Sequence, residues 1–293
     1  MIPLRHEIFV PRTEIELFNF LDSHGADSKL VSGATDLIPR IRRRQEEAIT
    51  LVDISRLDSL RYVKREQGVI RVGALTTLAD LIGSKTLGIE YEAIKKLELS
   101  FGSPPIRNIA TVGGNLAASS SSEDLIPIFL TLDARVSLKS ARSERVIPLG
   151  EFTRGKRETS RASNEILAEV SFSELKPDSW CTFEKTGRRE RVIISLVSLA
   201  CTLTLDRRSG RVDDVKIALN RVRGKIPERA LETEKALLGS DLNESKLKEA
   251  CEILESELSL TSDFRASAKY RTEVAKNLLR ESLTHCKHCI EEA

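Results

Sequence analysis

The sequence is short of several things that would assign a function at once. Only four histidines occur in 293 residues, and His6 and His24 have no carboxylate or cysteine companion nearby in sequence. Both therefore read as surface or helix-end residues rather than as catalytic bases. Aromatic residues make up 4% of the chain, and none interleave the two basic runs, Arg40-Ile-Arg-Arg-Arg-Gln45 and Gly187-Arg-Arg-Glu-Arg191. Without rings to stack on bases, such runs read as solvated faces, which argues against a nucleic-acid module. An excess of one charge is missing too: 46 basic residues face 44 acidic ones, for a formal net charge of +2, so no global field draws the chain to polyanions or anionic lipid. No apolar run approaches the ~20 residues of a membrane span. The region after Met1 lacks an apolar core followed by a small-residue cleavage site, so a cytoplasmic location is expected.

Five cysteines, at 181, 201, 251, 286 and 289, are an odd number confined to the second half, unlike a secreted disulfide framework. Cys286-Lys-His-Cys289 with His285 looks like half of a metal site, but no second ligand pair stands at zinc-ribbon spacing, and no metal is expected. Internal repeats and low-complexity tracts are also absent.

What is there is the composition of an ordinary globular protein, 40% hydrophobic and 31% charged, long enough for about two domains. Short apolar runs at Lys29–Val31, Ile49–Ile54, Leu60–Val63 and Val69–Val72 predict strands, and Ala79–Ile82 and Ala93–Leu97 predict helices, an α+β pattern. Thr76 or Thr77 is placed to cap the first of these helices. A helix after Ser122 would carry Glu123 and Asp124 in its first turn, where negative charge meets the positive end of the dipole. The break at Pro177 opens a second segment. There Trp180–Leu205 reads as antiparallel strands, and Val212–Leu219 closes a hairpin around Asp206–Gly210. Helices follow at Glu228–Leu238, Ser245–Leu258 and Ser267–Leu283. The expected division is 1–176, with subdomains about 1–55 and 56–176, and then 177–293.

Two stretches join small residues to a strand-to-loop context. In Leu30-Val-Ser-Gly-Ala-Thr-Asp-Leu37, an apolar strand runs into Ser32, Gly33 and Ala34, and a helix is expected from Thr35 or Asp36. Small side chains let a ligand approach the backbone, and successive amides of such a turn can converge on a diphosphate. In Ile106-Arg-Asn-Ile-Ala-Thr-Val-Gly-Gly-Asn-Leu116, Gly113-Gly114 permits a sharp turn flanked by the donors of Thr111 and Asn115. Taken singly, Gly-Ala and Gly-Gly are commonly plain turn residues. Neither stretch matches the dinucleotide glycine fingerprint or the P-loop.

Together and in this order, the two stretches resemble the FAD-binding medium subunits of the xanthine dehydrogenase and carbon monoxide dehydrogenase family of molybdenum hydroxylases. The resemblance runs along nearly the whole chain: Pro11–Leu21, Ser32–Leu37, Leu51-Val-Asp-Ile54, Val72–Leu81, Ile106–Leu116, Asp124-Leu-Ile-Pro127, Phe152–Thr159, Glu165-Ile-Leu167, Phe183-Glu-Lys185 and Ala268–Ala275. It implies two α+β subdomains, of the vanillyl-alcohol-oxidase type, holding FAD between them, followed by a smaller C-terminal α+β domain. The pyrophosphate grip falls on Leu30–Leu37 (Leu30, Val31, Ser32, Gly33, Ala34, Thr35, Asp36, Leu37) and on Thr111, Val112, Gly113, Gly114 and Asn115, with Ala118 beside them. Asp124 falls at an acidic position near the adenosine end, with a helix-start charge as the alternative. Phe101, Leu167 and Lys185 fall at the flavin end; Phe101 is otherwise a core residue and Lys185 otherwise a solvated one.

The implied function is a flavin relay. Electrons from substrate oxidation on a molybdopterin-binding large subunit would pass through a 2Fe-2S small subunit to FAD on this chain and then to an external acceptor, within a dimer of heterotrimers. No residue of this chain need then act as acid, base or nucleophile. The chain departs from the pattern at Ala34, where a second glycine is usual and a methyl disfavours a positive-φ turn. It departs again at Pro105, and at Ser119–Ser122. No cysteine-bearing insertion of the kind that holds an extra iron–sulfur cluster follows the second glycine block. A stand-alone flavin oxidoreductase is the competing reading, and it requires catalysis without partners.

Overall fold

The computed structural model describes residues 7–46, 50–189, 194–220 and 227–293; His6, Ile49, Glu190 and Arg191 lie outside them. Among the described residues, three larger sheets and a two-stranded hairpin organise the chain. The first is parallel, with Thr50–Asp53 between Glu7–Phe9 and Ser28–Val31. Helix Glu14–His24 connects its outer strands, with Thr13 Oγ1 accepting from the Glu16 amide at its start. Its Leu17, Phe18 and Leu21 pack with Val52 and Ile54, and His24 ends it, stacked on Phe20.

The second sheet is antiparallel and five-stranded, in the order Val63–Glu66, Val69–Gly73, Ile166–Ser173, Arg135–Lys139, Glu144–Pro148. The long central strand returns from far along the chain, and helices Leu78–Gly83, Val112–Ala118 and Leu125–Thr131 join its core. The third sheet is also antiparallel: Ser179–Thr186, Val197–Leu205, Val212–Asn220 and Glu228–Arg229. Every residue of Val197–Leu205 is buried, as a strand covered on both faces must be. Leu199, Cys201 and Leu203 pack with Leu279, Leu283 and Cys286 of helix Ala268–Glu292, while Ala200 shares a core with Phe129 of Leu125–Thr131.

Several sequence expectations shift. Of the two threonines, Thr77 makes the cap, accepting from the Asp80 amide at 3.1 Å, and Thr76 instead donates to the Tyr62 carbonyl. The strand expected at Leu60–Val63 starts only at Val63, because Asp58–Leu60 forms a 3-10 turn that buries Leu60 beside Leu57. Ala93–Leu97 divides into two short helices, Glu92–Lys95 and Leu97–Ser100. The helix expected from Glu228 begins at Leu231, since Glu228 and Arg229 pair with Leu219 and Ala218, a tertiary contact invisible to periodicity. The last helix continues past Leu283 to Glu292, carrying Cys286 and Cys289 with it. Among the described residues no helix is long and apolar enough to cross a membrane, and no group of three or more His, Cys, Asp or Glu is arranged to hold a metal.

Candidate cofactor site

Each glycine turn follows from local geometry. Strand Ser28–Val31 ends at the edge of the parallel sheet and turns at Ser32–Asp36 into helix Leu37–Arg42. Ala34 takes φ 60°, so the turn keeps a left-handed residue although the sequence supplies no glycine there. An alanine in that conformation costs about 1–2 kcal/mol. In the second turn, Thr111 caps helix Val112–Ala118, its Oγ1 accepting from the Gly114 amide at 3.1 Å.

The two turns touch. Ser32 Oγ and Thr111 Oγ1 are 2.8 Å apart. A Cβ on Gly33 would lie 1.9 Å from the Ile109 carbonyl oxygen, and one on Gly113 would lie 2.6 Å from the Ala74 Cβ. These two glycines let backbone pass against backbone. A Cβ on Gly114 would meet Thr111 Oγ1 at 2.8 Å and Ser32 Oγ at 3.2 Å, so a side chain there would fill the gap between the turns.

A cleft of about 330 Å³ opens at this junction. Leu30 to Leu37, Phe101, Thr111, Gly113, Gly114, Asn115, Ala118 and Leu167 all line it. Leu167 belongs to the apolar core and Phe101 packs against it, so for Phe101 the two sequence readings coincide. Val112 does not reach the cleft: it is fully buried behind the turn. Asp124 and Lys185 are not on the wall either. Their side chains form a buried ion pair at 2.6 Å, neither solvated nor free. Burial pushes the Asp124 carboxyl up, while Lys185 pulls it down. Asp124 also stands at the N-cap of Leu125–Thr131, not within its first turn.

Sequence reasoning missed the cleft's charged rim. Arg157, on the two-stranded hairpin Thr153–Thr159, donates to both carboxylate oxygens of Asp36 in the first turn and to the carbonyl of Ala118 at the end of the helix that follows the second. Its amide bonds the Ser119 carbonyl, and Ser119 Oγ bonds the Gly155 carbonyl at 2.8 Å. The hairpin therefore straps the two turns together. The block Phe152–Thr159 was legible as a match, but nothing in its spacing announced a strap. Arg40, read as part of a solvated run, lines the cleft and pairs with Asp36 and Glu46. Glu123, read as an acid of the first turn of the helix after Ser122, instead precedes its N-cap Asp124. It lines the cleft, accepts from Asn115 Nδ2, and is pushed up to about 8 by burial and then by the neighbouring Asp124 and Asp36 carboxylates.

These residues fit a dinucleotide diphosphate. Gly114 leaves backbone exposed in the cleft, Thr111 and Ser32 present hydroxyls, and the buried Oδ1 of Asn115 has no hydrogen-bond partner among the described residues, a polar atom that a ligand would satisfy. A larger open groove of about 1210 Å³ runs past Asp133, Arg135, Arg145 and Arg229. It contains neither turn, and Arg145 and Arg229 are held there by Glu165, Asp133 and Glu234.

Fold and cleft together define a two-lobed flavin-binding domain with a sheet-and-helix domain appended. The chain belongs to the family of FAD-binding domains in molybdopterin dehydrogenases, whose model matches residues 4–173, and residues 182–286 match the CO dehydrogenase flavoprotein C-terminal domain. FAD is the cofactor of that family. The chain is 28% identical over 284 residues to the nicotinate dehydrogenase FAD-subunit of Eubacterium barkeri, covering 94% of each. It is 29% identical to the 6-hydroxypseudooxynicotine dehydrogenase complex subunit alpha of Paenarthrobacter nicotinovorans, covering 90% of this chain and 88% of that one. A chain of the carbon monoxide dehydrogenase from Hydrogenophaga pseudoflava, solved without the Mo-pyranopterin moiety of its cofactor, superposes with a TM-score of 0.91 at 26% identity, covering 97% and 98% of the two chains.

Proposed function

We propose that this chain is the flavin-carrying oxidoreductase subunit of a heteromeric molybdenum hydroxylase. In that complex it takes electrons from the iron–sulfur clusters of a partner and delivers them to an external acceptor. The observation that carries the reading is the convergence of the Ser32–Asp36 and Thr111–Asn115 turns on one cleft. FAD supplies the chemistry, accepting electrons singly and releasing a pair.

The chain's own residues bind and orient. The amides around Gly33 and the hydroxyls of Ser32 and Thr111 hold the diphosphate, Gly114 leaves room for it beside them, and Arg157 keeps the two turns at a fixed separation. Phe101 and Leu167 give an apolar wall against which a flavin ring is shielded from water. Lys185 and Asp124 support that wall from within rather than touching the ligand. The proposed partners are a molybdopterin-binding large subunit and a 2Fe-2S small subunit, arranged as a dimer of heterotrimers in the cytoplasm. A relative named as a subunit of a complex and a structural neighbour named for its molybdenum cofactor support this assignment.

The test is a visible spectrum of the purified chain titrated with FAD, followed by a donor-oxidation assay with and without the partner subunits. Flavin bands saturating near one equivalent, with substrate oxidation only in the reassembled complex, are expected. A chain that stays colourless in excess FAD, or one that turns over a donor alone, overturns the reading.

A further inference from the structure

The charges lining the cleft are unevenly matched. Lys29, Arg40, Arg157 and Arg161 supply four cations, and Asp36, Glu46 and Glu123 supply three acids. Asp36 is held by Arg157 and Arg40, and Glu46 by Arg40 and Lys29. Among the described residues, Glu123 has no such cation: its carboxylate meets the amide nitrogen of Asn115 in the second glycine turn. The other charges around it are the carboxylates of Asp36 and Asp124 and the cations Arg157 and Lys185. Each of these acids is already paired with one of these cations.

If Glu123 were ionised, the cleft wall would carry one excess positive charge against the two negative charges of a diphosphate. Its negative charge would also sit beside Asn115, among the groups meant to hold that anion. With Glu123 neutral, the wall carries two excess positive charges, and the acid gains an O–H that can donate to a phosphate oxygen. We propose that Glu123 works in the cofactor cleft as a neutral acid whose proton is required for FAD to bind, so that cofactor affinity falls as pH rises. This rests on the reading of the cleft as the FAD site. Burial and the neighbouring carboxylates oppose ionisation of Glu123 in the empty cleft, and a diphosphate brought alongside opposes it further.

The experiment is calorimetric titration of the full chain with FAD between about pH 6 and about pH 9, in two buffers of different ionisation heat at each pH, repeated on Glu123→Gln. One linked proton predicts that the affinity falls about tenfold per pH unit once Glu123 ionises in the free protein, with uptake approaching one proton per FAD. Glu123→Gln, neutral throughout, should bind FAD with a flat pH profile and no uptake. A wild-type protein that binds FAD tightly but with flat affinity and no proton uptake overturns the role of Glu123 and leaves the FAD site standing. The same holds if Glu123→Gln keeps the wild-type slope. Absence of FAD binding by either protein at any pH overturns both. Should Glu123→Gln fail to fold, the proton uptake of the wild type still decides.

Discussion

Ser32 Oγ and Thr111 Oγ1 stand 2.8 Å apart across 79 residues of sequence, and on that contact the two glycine turns close into one cradle. The Thr111 hydroxyl has a second task, accepting the Gly114 amide at the start of its helix. Thr111→Val keeps the volume and removes both bonds. It should cost about 1 kcal/mol of stability from the lost cap and weaken FAD binding by about tenfold, the weight of one hydrogen bond to a charged group. Thr111→Ser should restore both. Flavin fluorescence titration and thermal melts check this, and unchanged FAD affinity in the valine variant would remove the contact from the site.

Ala34 is the place where this chain keeps a left-handed turn without the residue best suited to it. Ala34→Gly removes the strain but frees the unfolded chain, two effects of similar size. The expected net result is a gain of up to about 1 kcal/mol, with FAD bound at least as tightly because a methyl leaves the cleft. A stability loss above about 1 kcal/mol would mean that the methyl group packs productively.

The buried Lys185–Asp124 pair predicts an asymmetry. Lys185→Met leaves an unpaired carboxylate in the interior and should cost about 3–5 kcal/mol, whereas Lys185→Met with Asp124→Leu should recover much of it. Chemical denaturation of the three proteins reads the difference. If the single variant proves as stable as the wild type, the pair is not sealed from water.

Glu92 ties the body of the chain to its last helix. Its Oε2 accepts from Trp180 Nε1 at 3.0 Å and Thr182 Oγ1 at 2.9 Å and lies 2.8 Å from His285 Nε2. Burial alone would raise its pKa, but these bonds and the Lys96 ammonium win and hold it below the usual value of 4.5. An acid with a depressed folded-state pKa contributes stability above its unfolded value and loses it as the pH falls through the folded one. Acid unfolding followed by the fluorescence of Trp180, the one tryptophan, should therefore steepen below about pH 4.5. Glu92→Gln should soften that limb and cost about 1–3 kcal/mol at neutral pH. A variant with an identical acid limb would show that Glu92 titrates as it does in the unfolded chain.

Much of the fold was legible because local physics decided it. The run Ser28–Val31 into Ser32-Gly33, the Thr77 cap and the strands around Asp206–Gly210 each follow from patterns within about ten residues. The errors fell where a distant partner overrode the local pattern. Glu228 and Arg229 extend because an existing strand edge was there to be paired, and Lys185 is buried because Asp124 meets it from 61 residues away.

The sequence by itself determined the two glycine-bearing turns, since only small residues allow backbone to approach backbone as closely as Gly33 does the Ile109 carbonyl. The tertiary structure decided the charge of the cleft: which cation meets which acid, that Arg157 straps the turns, and that Glu123 has no cation partner among the described residues. Hydrophobic patterning acts between near neighbours and is written in the order of residues. Ion pairing depends on distance in space and on exclusion of water, and neither exists until the sheets have packed.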